Sequence, residues 1–111
     1  MPRPRLEVLA LSLDLIRLLR SVTARIERHD RSLGKQLRNA ASSISLNLCE
    51  GSKRVGGDRI HFWRIAAGSA EETRGCLHVA EAWGYVNVAD VLESLALLDS
   101  ILAIIWRLTN G

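Results

Sequence analysis

The chain is poor in the residues that build metal sites and disulfide frameworks. Its 111 residues include two cysteines, three histidines and two prolines. Cys49 and Cys76 belong to no CxxC or Cys/His spacing, and His29, His61 and His78 form no HxxxH or HExxH spacing. These absences argue against the common metal sites and against a disulfide scaffold. We therefore predict two buried, reduced thiols, no metal and no other cofactor.

Long apolar runs are also absent. No stretch approaches the length that spans a bilayer, and the basic N-terminal residues lead directly into an amphipathic pattern rather than a signal-peptide core. We therefore expect a cytoplasmic protein. The chain further lacks the alternating pattern of strands, internal repeats and low-complexity tracts. Helical periodicity is its main structural signal.

This periodicity occurs in four stretches joined by short connections. The predicted helices run from about Arg5 to Arg28, from a cap at Asp30 or Ser32 to Cys49 or Glu50, from about Asp58 to Trp83, and from about Val88 to Thr109. Gly51 and Gly84 are expected to end the second and third helices, and Asn87 with Asp90 to cap the fourth. The pattern predicts a single all-α domain over residues 1–111, an up-down-up-down antiparallel four-helix bundle.

The fourth helix is apolar on two sides. One stripe comprises Val88, Val91, Leu92, Leu95, Leu98 and Leu102, and a second stripe lies on the far side of the helix. The second stripe comprises Leu97, Ile101, Ile104 and Leu108. Because every helix of a four-helix bundle has an outer face, this stripe is predicted to form a subunit interface. The alternative is that the chain's own N-terminal tail covers it.

Positive charge is concentrated in the first two helices and in the turn that follows them. Residues 1–66 contain 13 Lys and Arg against 6 Asp and Glu, whereas residues 67–111 contain 2 against 6. Arginine suits phosphate because its planar fork donates two parallel hydrogen bonds and stays charged. The predicted nucleic-acid-binding residues are Arg17, Arg20, Arg25, Arg28, Arg31, Lys35, Arg38, Lys53 and Arg54. The alternatives are a solvated helix face or a surface for an acidic protein, and for the turn a plain hairpin connection.

Small polar residues interrupt the apolar stripe of the second helix and are expected to become partly buried. We predict a structural polar network in which Glu50 or Glu72 pairs with Arg38, Arg64 or a serine hydroxyl and fixes helix register. Its members are Ser43, Asn47, Glu50, Ser69 and Glu72. A catalytic use of the two carboxylates is the alternative, but no nucleophile or metal-ligand set accompanies them. No catalytic residue is assigned, and the chain is predicted not to be an enzyme.

Three segments carry a resemblance to a known family. They are residues 36–51 (QLRNAASSISLNLCEG), 62–72 (FWRIAAGSAEE) and 83–85 (WGY). These segments resemble the four-helix-bundle family of proteins encoded in intervening sequences of 23S ribosomal RNA genes. That family looks related to the accessory variability determinant of diversity-generating retroelements. The family commonly has proline where this chain has Ser45, so a milder kink is expected in the second helix.

The resemblance implies a homopentameric ring, and the retroelement members imply nucleic acid and a reverse transcriptase as partners. It offers no catalytic residues to carry over. Together with the charge pattern, it leads us to expect a non-enzymatic, oligomeric scaffold that binds RNA or DNA. The alternative expectation is a protein-interaction scaffold that does not bind nucleic acid directly.

Overall fold

The part of the chain that the structure describes is built from four long helices. The computed structural model describes residues 3–111, in which α1 spans Arg3–His29, α2 Arg31–Ser52, α3 Gly56–Ala82 and α4 Val88–Asn110. No strand occurs within these residues, so the predicted all-α class is confirmed. Each helix packs against the next one along the chain, and α4 also packs against α1. The molecule measures 42 × 22 × 20 Å.

Three predicted helix ends follow from local structure. The Asp30 carboxylate accepts the Leu33 N–H at 3.0 Å and so caps α2. Asn87 and Asp90 form a reciprocal capping box at the start of α4. Gly84 has a φ of 81°, the left-handed conformation that follows the end of α3. Each of these ends depends on residues within a few positions of one another.

Gly51 does not end α2, which continues to Ser52. The glycine instead permits a close contact between helices. A Cβ atom at this position would lie 2.5 Å from Trp63 Cδ1 and 3.2 Å from the Arg59 carbonyl oxygen. Trp63 is 3% exposed, and its Nε1 donates to the Leu48 carbonyl oxygen at 3.4 Å. The absent side chain therefore lets the indole of α3 pack directly on α2.

All four helices contribute to one apolar core. Its fully buried side chains include Leu15, Ile26, Leu37, Ile44, Leu77, Leu98 and Ile101. Burying a leucine or isoleucine of this kind stabilises the fold by about 1.5–3 kcal/mol relative to leaving it exposed. The outer helix faces, the grooves between helices and the two ends of the molecule are the surfaces that remain available for function.

Cross-helix contacts define the two ends. At the end that we call the His29 end, the last residue of α1 stacks its ring on Tyr85 of the α3–α4 turn. At the opposite end, the Trp63 end, the Arg5 guanidinium lies over the Trp63 ring. The 22 residues of α2, about 33 Å of helix, connect the two ends.

Candidate nucleic-acid interface

Five of the nine predicted cations form no ion pair within residues 3–111, and all five are exposed. These five are Arg20, Arg28, Arg31, Lys35 and Lys53. Arg20 lines the groove between α1 and α2, Arg28 lies in the last turn of α1, and Arg31 and Lys35 lie one turn apart at the start of α2. We call Arg20, Arg28, Arg31 and Lys35 the α1–α2 basic surface.

Arg38 lies beside this surface but is paired with a carboxylate. It lines the same groove as Arg20, and its guanidinium contacts the Glu27 carboxylate of α1. A Cβ atom on Gly34 would collide with the Glu27 side chain, so the glycine allows this side chain to lie against α2. Because Glu27 offsets its charge, Arg38 adds less to the attraction of phosphate than the four unpaired cations do.

Two predicted cations of α1 point toward α4 instead. Arg17 pairs with Asp14 at 2.8 Å, and both residues line the groove between α1 and α4. Arg25 contacts the Asp90 carboxylate of α4 at 2.7 Å. Arg20 and Arg17 thus line different grooves, and both predicted arginines of α1 that face α4 in these contacts, Arg17 and Arg25, are already paired.

Lys53 and Arg54 lie at the Trp63 end. Arg54 Nε donates to the Glu50 carboxylate at 3.2 Å, and the Arg54 guanidinium lies 5.1 Å from the centroid of the Phe62 ring. Lys53 is the exposed C-cap residue of α2. Most of the length of α2 separates these two residues from Arg31 and Lys35, which lie at the start of that helix. The nine predicted residues therefore do not form one continuous patch.

Part of the predicted polar network is present between α2 and α3. Ser69 Oγ donates to Ser43 Oγ at 2.8 Å, and Asn47 Nδ2 donates to Ser43 Oγ and to the Ser43 carbonyl oxygen, both at 2.9 Å. The Ser43 hydroxyl thus accepts hydrogen bonds from its own helix and from the neighbouring helix. These bonds fix the register of α2 against α3.

The two carboxylates do not belong to this network, which corrects the prediction. Glu50 pairs with Arg54 one turn later, and their side chains are 36% and 45% exposed. Glu72 is exposed, with Gln36 Nε2 3.5 Å from its carboxylate. Both lie at the margin of the helix contact, where a long side chain reaches water. An exposed pair such as Glu50–Arg54 contributes at most about 0.5 kcal/mol.

A second buried polar contact, which was not predicted from the sequence, joins α1 to α2. Ser12 Oγ and Ser45 Oγ lie 2.8 Å apart, and both serines are buried. Ser12 donates its single hydroxyl proton to the Leu9 carbonyl oxygen at 2.7 Å, so Ser45 is the donor between the two serines. The signal for this contact was the place of Ser12 in the apolar stripe of α1, between Val8 and Leu15.

Two residues of the predicted subunit-interface stripe of α4 are buried in the chain's own core. Ile101 and Ile104 are 0% and 5% exposed, and Leu97 and Leu108 pack partly buried against the core. The prediction is wrong for the two isoleucines because α4 packs against both α1 and α3 and so buries a wide face. Three large apolar side chains point outward instead: Val88, Leu92 and Trp106. Their spacing places them on one side of the helix, which we call the outer face of α4.

The two cysteines have different environments. Cys76 is buried, and its burial together with the nearby Glu72 carboxylate raises the pKa of its thiol. Cys49 is exposed, which corrects the expectation of two buried thiols. In the part of the chain that the structure describes, no cluster of His, Cys, Asp and Glu is arranged to hold a metal ion. Over the same residues, no helix has both the length and the apolar character of a membrane span.

Comparison with protein families identifies the relatives of this chain. The model of the 23S rRNA-intervening sequence protein family matches residues 4–107. The chain belongs to this family. The match extends into all four helices, so the resemblance carried by three short segments is confirmed.

A solved structure shows the same fold as this 23S rRNA-intervening sequence protein. It is a 1.70 Å crystal structure of a protein with unknown function from the S23 ribosomal protein family of Bacteroides thetaiotaomicron VPI-5482. The TM-score is 0.86 at 18% sequence identity, and the match covers 94% of this chain and 99% of that chain. The likeness at this identity concerns the fold alone. A comparison with curated proteins found no match.

Proposed function

We propose that this 23S rRNA-intervening sequence protein is a non-enzymatic scaffold that binds RNA or DNA and assembles into a homopentameric ring. The observation that carries the nucleic-acid proposal is the α1–α2 basic surface, whose four cations are exposed and form no ion pair within residues 3–111. Of the four predicted arginines of α1, Arg17 and Arg25 are paired with carboxylates, so Arg20 and Arg28 carry the unpaired predicted charge of this helix within the described residues.

Such a surface binds phosphate through charge and reads little sequence. Contacts to phosphate position a protein on nucleic acid, whereas contacts to base edges specify the site. Each neutralised phosphate releases condensed counterions, so the affinity falls steeply as salt rises. Repetition of these four cations in every subunit of a ring would give a continuous positive surface that attracts nucleic acid.

The up-down-up-down topology and the ring draw support from different contacts. Arg25 near the end of α1 contacts Asp90 near the start of α4, and Arg64 near the start of α3 reaches the Thr109 carbonyl at the end of α4. Both contacts fit antiparallel neighbours. The ring is supported by the outer face of α4, where Val88 and Leu92 are exposed one turn apart and Trp106 is exposed near the end of the helix, because exposed large apolar side chains are typical of subunit contacts.

A salt titration with a fluorescein-labelled, mixed-sequence RNA tests the binding proposal. We expect the logarithm of the affinity to fall linearly with the logarithm of the salt concentration. The triple variant Arg20→Glu/Arg28→Glu/Arg31→Glu should bind more weakly at low salt. If each arginine contacts one phosphate, the slope should also fall in magnitude by about 2–3.

A charge-matched control is the triple variant Arg17→Glu/Lys53→Glu/Arg54→Glu. It has the same net charge as the first variant, but two of its three positions are already paired with Asp14 and Glu50. It should therefore retain more of the affinity. Equal losses in the two variants would contradict the assignment of the α1–α2 basic surface. A lack of RNA and DNA binding by the unmodified protein near physiological salt would refute the nucleic-acid proposal itself.

A second candidate function is a protein-interaction scaffold. It is favoured by the outer face of α4, where Leu92 and Trp106 are 57% and 65% exposed. In this proposal the partner is a protein, such as the reverse transcriptase that the family resemblance implies, or an acidic protein bound by the α1–α2 basic surface. The same titration separates the two candidates, because a scaffold of this kind would show no binding to RNA alone.

A further inference from the structure

Three aromatic rings form a stack at the His29 end. The centroids of the His29 and Tyr85 rings are 5.1 Å apart and the rings lie within 7° of parallel. Trp83 extends the stack on Tyr85 at 6.4 Å and 16°. Trp83 is 70% exposed, so its ring presents a face to solvent. A tryptophan this exposed contributes little to the core, and core packing does not account for its position.

Backbone hydrogen bonds at the end of α3 fix the positions of Trp83 and Tyr85 before any ligand binds. Tyr85 N–H donates to the Ala80 carbonyl oxygen and Gly84 N–H donates to the Glu81 carbonyl oxygen, both at 2.9 Å. With the left-handed Gly84 between them, these two bonds form the Schellman motif that closes α3. Trp83 is the C-cap residue of the same helix and His29 is the last residue of α1. Because the rings are borne by helix ends, little conformational entropy is lost when a flat ligand stacks on them.

Available positive charge lies close to this stack along the chain. Arg28 and Arg31 flank His29 in sequence, are exposed and form no ion pair within the described residues. Three of the carboxylates near this end are engaged: Asp30 caps α2, Asp90 binds α1 and caps α4, and Glu27 pairs with Arg38. Glu81 is a fourth carboxylate near this end. The charges of Arg28 and Arg31 are therefore available to attract phosphate to this end of the bundle.

We propose that the His29–Tyr85–Trp83 stack binds an unpaired nucleobase of a single-stranded nucleic acid on the free face of Trp83. Arg28 and Arg31 contact the flanking phosphates. Every base has a π-face, so this site adds affinity for single strands without a strong sequence preference. A base inside a duplex is already stacked on its neighbours and cannot reach the ring. The inference rests on the proposed nucleic-acid binding and adds to it a preference for unpaired RNA or DNA.

The test compares three proteins on two probes. The proteins are the unmodified chain, Trp83→Phe, which keeps a flat aromatic ring, and Trp83→Leu, which keeps apolar bulk without one. The probes are a fluorescein-labelled, mixed-sequence single-stranded RNA and the same RNA annealed to its complement, with binding measured by anisotropy. We expect Trp83→Leu to weaken single-strand binding by about 5- to 150-fold, the range for one stacked base. Trp83→Phe should retain most of that binding, and duplex binding should be similar for all three proteins.

Each other outcome overturns the inference in a recognisable way. If Trp83→Leu and Trp83→Phe bind the single strand equally well, the stack does not hold a base, although the basic surface can still bind nucleic acid. If Trp83→Leu loses duplex binding equally and lowers the mass measured by light scattering, Trp83 contacts another copy of the chain. If the unmodified protein binds neither probe, the proposed function fails and this site fails with it. Since Trp83 is exposed, circular dichroism should show the same helical content for all three proteins.

Discussion

The contact between Gly51 and Trp63 leads to a prediction that opposes the usual effect of a glycine in a helix. Gly51 lies within α2, where alanine is favoured over glycine by about 1 kcal/mol on helix propensity alone. The new Cβ atom would nevertheless lie 2.5 Å from Trp63 Cδ1 and 2.6 Å from Trp63 Nε1. Local propensity and tertiary packing therefore predict opposite signs for Gly51→Ala.

Packing should win because the indole has no free direction in which to move. Trp63 is buried, its Nε1 donates to the Leu48 carbonyl oxygen, and its ring lies near the guanidinium groups of Arg5 and Arg59, 5.1 and 5.6 Å from the ring centroid. Overpacking of this kind costs about 1–3 kcal/mol. Losing the indole hydrogen bond costs about 1 kcal/mol more. After the gain in helix propensity, we expect Gly51→Ala to lower the free energy of unfolding by about 1–3 kcal/mol.

Urea denaturation followed by circular dichroism measures this change, at one protein concentration for all variants because assembly affects apparent stability. The matched control is Gly75→Ala in α3, where nothing lies within 4 Å of the added Cβ atom. That variant should gain about 0.5–1 kcal/mol. In a Trp63→Leu background, Gly51→Ala should destabilise much less, since the clashing ring is gone. The reasoning is refuted if Gly51→Ala stabilises the protein as Gly75→Ala does.

Two further predictions concern contacts between helices and between subunits. Ser12→Ala should destabilise the protein by about 1–3 kcal/mol, because it leaves the buried Ser45 hydroxyl without its acceptor. Ser45→Ala should cost less, because the Ser12 hydroxyl keeps its hydrogen bond to the Leu9 carbonyl oxygen. The double variant should lose less than the sum in a urea double-mutant cycle, and strict additivity would show that the two serines do not interact. Leu92→Lys/Trp106→Lys should lower the mass measured by light scattering while helical content is kept, since both side chains are exposed. A monomeric mass for the unmodified protein would contradict the proposed ring.

Several elements of this protein were predictable from sequence because they depend on residues close together in the chain. The Asp30 cap, the Asn87–Asp90 capping box and the left-handed Gly84 each act within one helical turn. Helical periodicity likewise repeats every three or four residues, so the four helices were located to within a few positions. The family resemblance and the uneven distribution of charge could also be read directly from the sequence.

The candidate site required the tertiary structure because its properties depend on residues that are distant in the chain. Arg25 is paired by a carboxylate 65 residues away, and Trp83 and Tyr85 reach His29 only when the α3–α4 turn meets the end of α1. Periodicity shows which residues share a helix face but not which neighbour covers that face. Ile104 was therefore assigned to the outside of a helix that α1 and α3 cover.

The sequence by itself determined the four helices, most of their ends and the family, because hydrogen bonds and side-chain spacing within one or two turns decide these features. Only the tertiary structure decided which face of α4 is buried, that Gly51 allows Trp63 to pack closely on α2, and which cations remain unpaired. The physical reason is that burial and ion pairing are set by the distances between helices. Those distances depend on how side chains from all four helices fill one common core.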